Sequence, residues 1–426
     1  IVSTDVRGVR QETLANGLTI LTEQMPHVRS VAVGIWVKSG SRIEPPGLTG
    51  ISHFIEHMVF KGTERRTAEQ IAREADSVGG QLDAFTAKEM VCFNARVIDE
   101  HLPRIFDVLS DLVLAPVFRA PDIEKERAVV LEEINMEEDN ADYLVHEIFS
   151  ENFWYDHPIG RPILGMKQTL AGFHRELLFD FFRRWYVPNQ MLITAAGQLE
   201  HERFITLLSD RFRGLPAHQE GILDPVPQPH ARISTRSKRD LEQMHLCLGV
   251  PCYPLPHQKR YAVILLNSIL GGGMSSRLFQ TVREREGLAY AVFSDVNAYR
   301  DTGCLSVYAG TARETLHQAL RLILAQFTRL KQELVSADEL RAAKENLKGG
   351  LMLSLESTAA RMSRLAREEI YFGRSFSLDE ILAAIEGVTP EDLLAIAREF
   401  FQPHLMGATL LGPLDGFQLS RDDLAC

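Results

Sequence analysis

The chain has 426 residues, a formal net charge of −11, and is 45% hydrophobic and 24% charged. That length exceeds one ordinary core, so two or more domains are expected, with the composition of a soluble globular protein. The negative charge argues against nucleic acid as a partner, and no apolar run approaches the roughly 20 residues that span a bilayer, so no membrane partner is expected.

In chain order, VAVGIWV (31–37) reads as a mostly buried strand and Thr49–Phe60 as a short helix. MVCFNARV (90–97) is followed by the long apolar-periodic helix HLPRIFDVLSDLV. Pro121 to Met136 looks like a helix, with Pro121 suited to its first position and Asp122 and Glu124 to its first turn. ITAAGQL (193–199) comes late in this half. Residues 214–235 are rich in Pro and polar groups and read as a linker. Beyond it the landmarks return at a nearly constant offset. MHLCLGV (244–250) matches 31–37, and Cys304-Leu305 matches Cys92-Phe93. Asp338 matches Asp122, and ATLLGPL (408–414) matches ITAAGQL. Four landmarks in one order indicate a duplicated unit. The expected fold is α+β: two homologous domains, 1–213 and 236–426, each a mixed or antiparallel sheet packed by helices.

The five cysteines, Cys92, Cys247, Cys252, Cys304 and Cys426, are odd in number, scattered and outside any CxxC pair. They predict free thiols in a reducing compartment, not a disulfide scaffold or a thiolate metal site. Ile1 to Arg10 carry no signal-peptide pattern, although a chain starting at Ile1 rather than Met could have lost a targeting segment. A bacterial cytoplasm is the expected location, with the mitochondrial matrix as the alternative.

The segment His53-Phe-Ile-Glu56-His57 places two imidazoles one helical turn apart, with Glu56 on the same face. This HxxEH arrangement inverts HExxH. Two neutral imidazoles suit Zn²⁺, and a third protein ligand leaves a position open for water. The ion lowers the pKa of that water towards about 7, and Glu56 is placed to take the proton. The bland alternative is a pair of solvated histidines beside a helix salt bridge, but the aromatic and aliphatic neighbours Phe54, Ile55, Met58 and Val59 argue against it. A third ligand is sought in the acidic helix. Glu126 and Glu133 share a face, while Glu132 falls on another. Spacing alone leaves Glu126, Glu133 and Glu137 open. In the second repeat, His53, Glu56, His57, Glu126 and Glu133 correspond to Leu265, Ser268, Ile269, Ala342 and Gly349. All five imidazole and carboxylate groups are missing there, so the first domain carries a chemistry that the second does not.

Together, HFIEH, ERAVVLEEI, HPIGRPILG (157–165) and LGGGMSSRLFQTVREREGLAY (270–290) resemble the pitrilysin–insulinase family of zinc peptidases, in its processing-peptidase-like branch, over essentially the whole chain. The resemblance implies that Glu133 is the third zinc ligand and that Glu126 orients the site. It implies that Arg283 and Tyr290, from the non-catalytic half, grip the substrate near the metal. It implies that an extended peptide adds to an edge strand around Ala84, Phe85 and Thr86, where this chain has Asp83 in place of the family's usual Asn. It implies a mobile loop at Gly271-Gly272-Gly273 near a substrate chamber. The expected protein is a zinc endopeptidase cleaving unstructured peptides or presequence-like segments within a dimer, expected to be a homodimer, with a heterodimer with a related chain as the alternative. The competing reading is a non-catalytic structural or peptide-binding subunit of the same fold; such relatives typically lack an intact HxxEH.

Overall fold

Strands with both faces covered read as continuous apolar runs, and strands at an edge alternate. The computed structural model, which describes residues 8–217, 224–414 and 416–426, sorts its strands this way. The first sheet contains β1 (Val9–Thr13), β2 (Thr19–Gln24), β3 (Ser30–Val37), β4 (Gln81–Thr86), β5 (Val91–Ile98) and β6 (Met191–Gly197). Their order is β1-β2-β6-β3-β5-β4. β3 and β6 are central and almost wholly buried, whereas β4 alternates exposed and half-buried residues and forms a free edge. β2 runs parallel to β6, and the other pairs in this sheet are antiparallel.

The second sheet contains β7 (Ile233–Ser237), β8 (Met244–Pro251), β9 (Ala289–Ala298), β10 (Gly303–Thr311) and β11 (Gly407–Gly412), in the order β7-β11-β8-β10-β9. β7 and β11 are parallel and the rest antiparallel. Apart from β1, this is the first sheet's order and sense, strand for strand, so the repeat seen in the sequence is a repeat of topology. The fold class is α+β with two domains.

Two compact units account for the packing. One holds the described residues of Ile1–Ile134, Pro162–Asp224 and Met352–Ser377; the other holds those of Asn135–Arg161, Pro225–Leu351 and Leu378–Cys426. The boundaries expected from sequence, 1–213 and 236–426, differ from this grouping. Helix Ala141–Phe153, from the first half of the sequence, packs on β8 and β11, while helix Thr358–Phe372, from the second half, packs on β2, β3 and β6. Met362, Leu365 and Ala366 of that later helix share a buried cluster with Ala32, Trp36 and Cys92. Periodicity shows that a helix has an apolar face, not which sheet will cover it. The linker expected at 214–235 is described only in part, because 218–223 lie outside the described residues. Its last residues already belong to β7, whose partner β11 is remote in sequence.

The first sheet's other face carries Val31, Val33, Ile35 and Val37, packed with helix Leu102–Leu114 and with Phe54, Ile55, Met58 and Val59 of helix Ile51–Val59. The five cysteines are unpaired. Among the described residues, no helix is long and apolar enough to cross a membrane.

Candidate metal centre

Helix Ile51–Val59 is fixed before its polar residues come into play. Phe54, Ile55, Met58 and Val59 are fully buried, and Phe54 meets Phe173 edge-on at 5.3 Å between ring centroids. The helix starts at Gly50, whose φ of 94° and close approach to Gly165 leave no room for a Cβ. Its first turn is capped from outside by the buried Glu44, which accepts from Gly50 N at 2.7 Å and Ser52 N at 2.8 Å. Each such hydrogen bond contributes about 0.5–1.5 kcal/mol net, and the two N–H groups would be costlier still if left unpaired in the interior. Burial outweighs those bonds and pushes the Glu44 carboxyl up to about 7.

With that backbone fixed, His53 and His57 stand side by side, ring centroids 4.6 Å apart. The second element of the site is helix Ala120–Asp139. Glu133 Oε2 lies 3.6 Å from Nε2 of His53 and 3.6 Å from Nε2 of His57. Ligand atoms of these three residues lie within 4.8 Å of one another, and no second such group occurs among the described residues. Donors bound at about 2.0–2.1 Å to a tetrahedral ion stand about 3.3 Å apart, so two nitrogens and one oxygen at this spacing fit Zn²⁺ after a small inward adjustment. Burial, with His57 adding to it, pushes His53 down to about 3, so its imidazole is neutral near pH 7, the form that binds metal.

The three alternatives left open by spacing now separate. Glu126 lies on the ligand face but is buried at 5% exposure, and its Oε2 is 3.1 Å from His57 Nδ1, the nitrogen turned away from Glu133. Glu137 is not part of the three-ligand group, and Glu132 is exposed. Glu56, on the helix of the two histidines, accepts from the Thr86 hydroxyl at 2.5 Å. Burial raises the Glu56 carboxyl above its usual range, against lowering by the Thr86 bond and His57; Glu133 and Asp83 add to the rise. A carboxylate so raised is a better proton acceptor.

Thr86 ends the edge strand β4, which also carries Ala84 and Phe85. Phe85 is 42% exposed and meets Trp36 edge-on at 5.8 Å. Asp83 is exposed on the same strand, and its Oδ1 accepts from the Ala84 N–H at 2.8 Å. Arg283 and Tyr290 belong to the other compact unit. Arg283 lies in a π-helical turn, Phe279–Arg285, and Tyr290 at the start of β9. Gly287, at φ 63°, makes the reversal between them. The Arg283 guanidinium lies 5.5 Å from the Tyr290 ring centroid, and Tyr290 is 79% exposed. Both side chains are thus adjacent and available. Nearby, a Cβ on Gly271 would meet the Ser294 backbone, so this glycine of the LGGGMSS stretch is explained by packing.

Sequence reasoning missed Glu44, Lys61 and the Thr86 hydroxyl. Lys61 was findable, because it stands four residues after His57. Nothing in the sequence pattern pointed to Glu44.

With this geometry in view, residues 19–167 match the family described as Insulinase (Peptidase family M16), and residues 172–347 match the Peptidase M16 inactive domain. The chain is also 42% identical, over 92% of its own length and 96% of its relative's, to a Bacillus subtilis protein named uncharacterized zinc protease YmxG. The chain belongs to the M16 peptidase family. A Streptomyces coelicolor member, likewise named an uncharacterized zinc protease, is 38% identical over 97% of this chain and 91% of that protein. Among solved structures, a protease from Helicobacter pylori superposes with a TM-score of 0.88 at 21% identity, covering 96% of this chain and 100% of that one. A Pseudomonas fluorescens peptidase M16 inactive domain gives 0.89 at 20% identity, covering 95% and 98%. These two structures share the M16 fold with this chain.

Proposed function

We propose that the chain is a zinc-dependent endopeptidase acting on unstructured peptides or presequence-like segments. The observation that carries this is the convergence of His53, His57 and Glu133, with Glu56 on the same helix as both histidines. When bound, zinc supplies a Lewis acid and makes a water acidic enough to lose a proton near pH 7. The two histidines and Glu133 would hold the ion. Glu56 receives the proton from the attacking water and passes it to the leaving amine, and the Thr86 hydroxyl keeps its carboxylate oriented. The free edge of β4 receives the substrate as an added strand, so Ala84, Phe85 and Thr86 bind backbone and set register rather than sequence.

By resemblance to the family, Arg283 and Tyr290 grip the peptide, with Tyr290 donating to the oxygen that becomes charged during attack. We place them opposite the metal of a second copy, in a two-fold homodimer that encloses the substrate. Asp83 gives the docking edge a negative charge and would bias it towards basic peptides.

The test compares a short unstructured peptide with a folded, protease-resistant protein containing the same cleavable segment. The peptide should be cut in a chelator-sensitive reaction and the folded protein spared. Comparable rates on both would contradict an enclosed chamber, and absence of metal-dependent cleavage of any peptide would remove the enzymatic reading.

A further inference from the structure

Each oxygen of the buried Glu126 carboxylate has its own partner. Oε2 meets His57 Nδ1 at 3.1 Å, and Oε1 meets Lys61 Nζ at 2.6 Å. Lys61 lies just beyond helix Ile51–Val59, and its backbone N–H donates to the Met58 carbonyl at 3.1 Å. That turn carries its side chain back along the face that holds His57. The hydrolytic steps proposed above make no use of this ammonium.

We propose that Lys61 is a positioning residue for the metal centre, acting through Glu126 on His57. This rests on the zinc-centre reading. An exposed ion pair contributes little, but a carboxylate removed from water needs its charge balanced and its oxygens satisfied. Lys61 balances the charge of Glu126 and satisfies its Oε1. With Oε1 held by Lys61, Oε2 is fixed against His57 Nδ1. A proton on Nδ1, donated to Oε2, leaves the lone pair of Nε2 on the side where Glu133 lies. Nδ1 of His53, by contrast, is buried without a protein partner. Of the two imidazoles, His57 is the one held by an outer carboxylate, so loss of Lys61 should act on that arm of the site.

The experiment measures zinc affinity of the metal-free full chain by competition with a chelator. Lys61→Met should bind zinc about tenfold more weakly, the lower end of what loss of an outer partner costs. Lys61→Arg, which keeps the cation, should restore most of that affinity. In a Glu126→Gln background, Lys61→Met should change zinc affinity by less than about twofold, because the residue through which it acts is already altered. A purely structural salt bridge would instead lower the thermal midpoint of the metal-free protein and leave zinc affinity unchanged. Lys61→Gln serves the same comparison if the Met variant does not fold. Unchanged zinc affinity in both neutral variants, or an undiminished loss in the Glu126→Gln background, would overturn the inference. Failure of the unsubstituted chain to bind zinc would instead sink the zinc-centre reading beneath it.

Discussion

Glu56→Gln should keep zinc and lose hydrolysis, whereas His57→Ala should lose both. The two residues are adjacent on one helix, so a general disturbance would affect them alike; their roles make them differ. Glu56 is outside the group of converging ligand atoms. Glutamine matches it in size, and its amide oxygen can still accept from the Thr86 hydroxyl. What glutamine cannot do is take a proton, and removal of a positioned general base costs about 10²–10⁴ in rate. His57, in contrast, supplies one of the three converging donor atoms and is the partner of Glu126. Truncation to Ala removes the donor and leaves the Glu126 carboxylate with only Lys61. Metal analysis and peptide turnover on both purified variants decide the matter. A metal-free Glu56→Gln, or one with near-normal turnover, would contradict the assigned roles.

A second large effect is expected on mixing two inactive proteins. In the proposed homodimer, Glu56 acts with its own chain's metal, and Tyr290 comes from the other chain. Glu56→Gln and Tyr290→Phe should each be nearly inactive as homodimers. After subunit exchange at equal amounts, half the dimers are mixed, and each mixed dimer has one site with both Glu56 and Tyr290 intact. Activity should therefore return to about a quarter of the unsubstituted enzyme's. If both residues serve one chain, every site stays defective and mixing restores nothing. Native mass must show that heterodimers formed; heterodimers without activity would rule out the shared site.

The parts of this protein legible in its sequence were those encoded by local spacing. His53, Glu56 and His57 sit within one helical turn, and a turn is what a period of about 3.6 residues reports. The duplication was legible because β3 and β8, and β5 and β10, keep their apolar patterns while their surroundings diverge. Spacing alone left Glu126, Glu133 and Glu137 open, and the choice of Glu133 came from the family resemblance. Glu126 and Glu133 share a helix face, and only the approach of that face to His57 and His53 separates a ligand position from a supporting one. Glu44 caps a helix to which it does not belong, through backbone groups that carry no sequence signal. The assignment of helices Ala141–Phe153 and Thr358–Phe372 to sheets from the other half depends on tertiary packing alone.

The most direct test of the central claim, a zinc centre built from His53, His57 and Glu133, is the zinc content of the purified chain measured beside Glu133→Gln and Glu132→Gln. Glu132 is next to Glu133 but exposed and outside the ligand group, so the pair isolates geometry from charge. The account predicts a single zinc per chain in the unsubstituted protein and in Glu132→Gln, and its loss in Glu133→Gln. Equal retention in the two variants, greater loss at Glu132, or an unsubstituted chain that holds no zinc would contradict it.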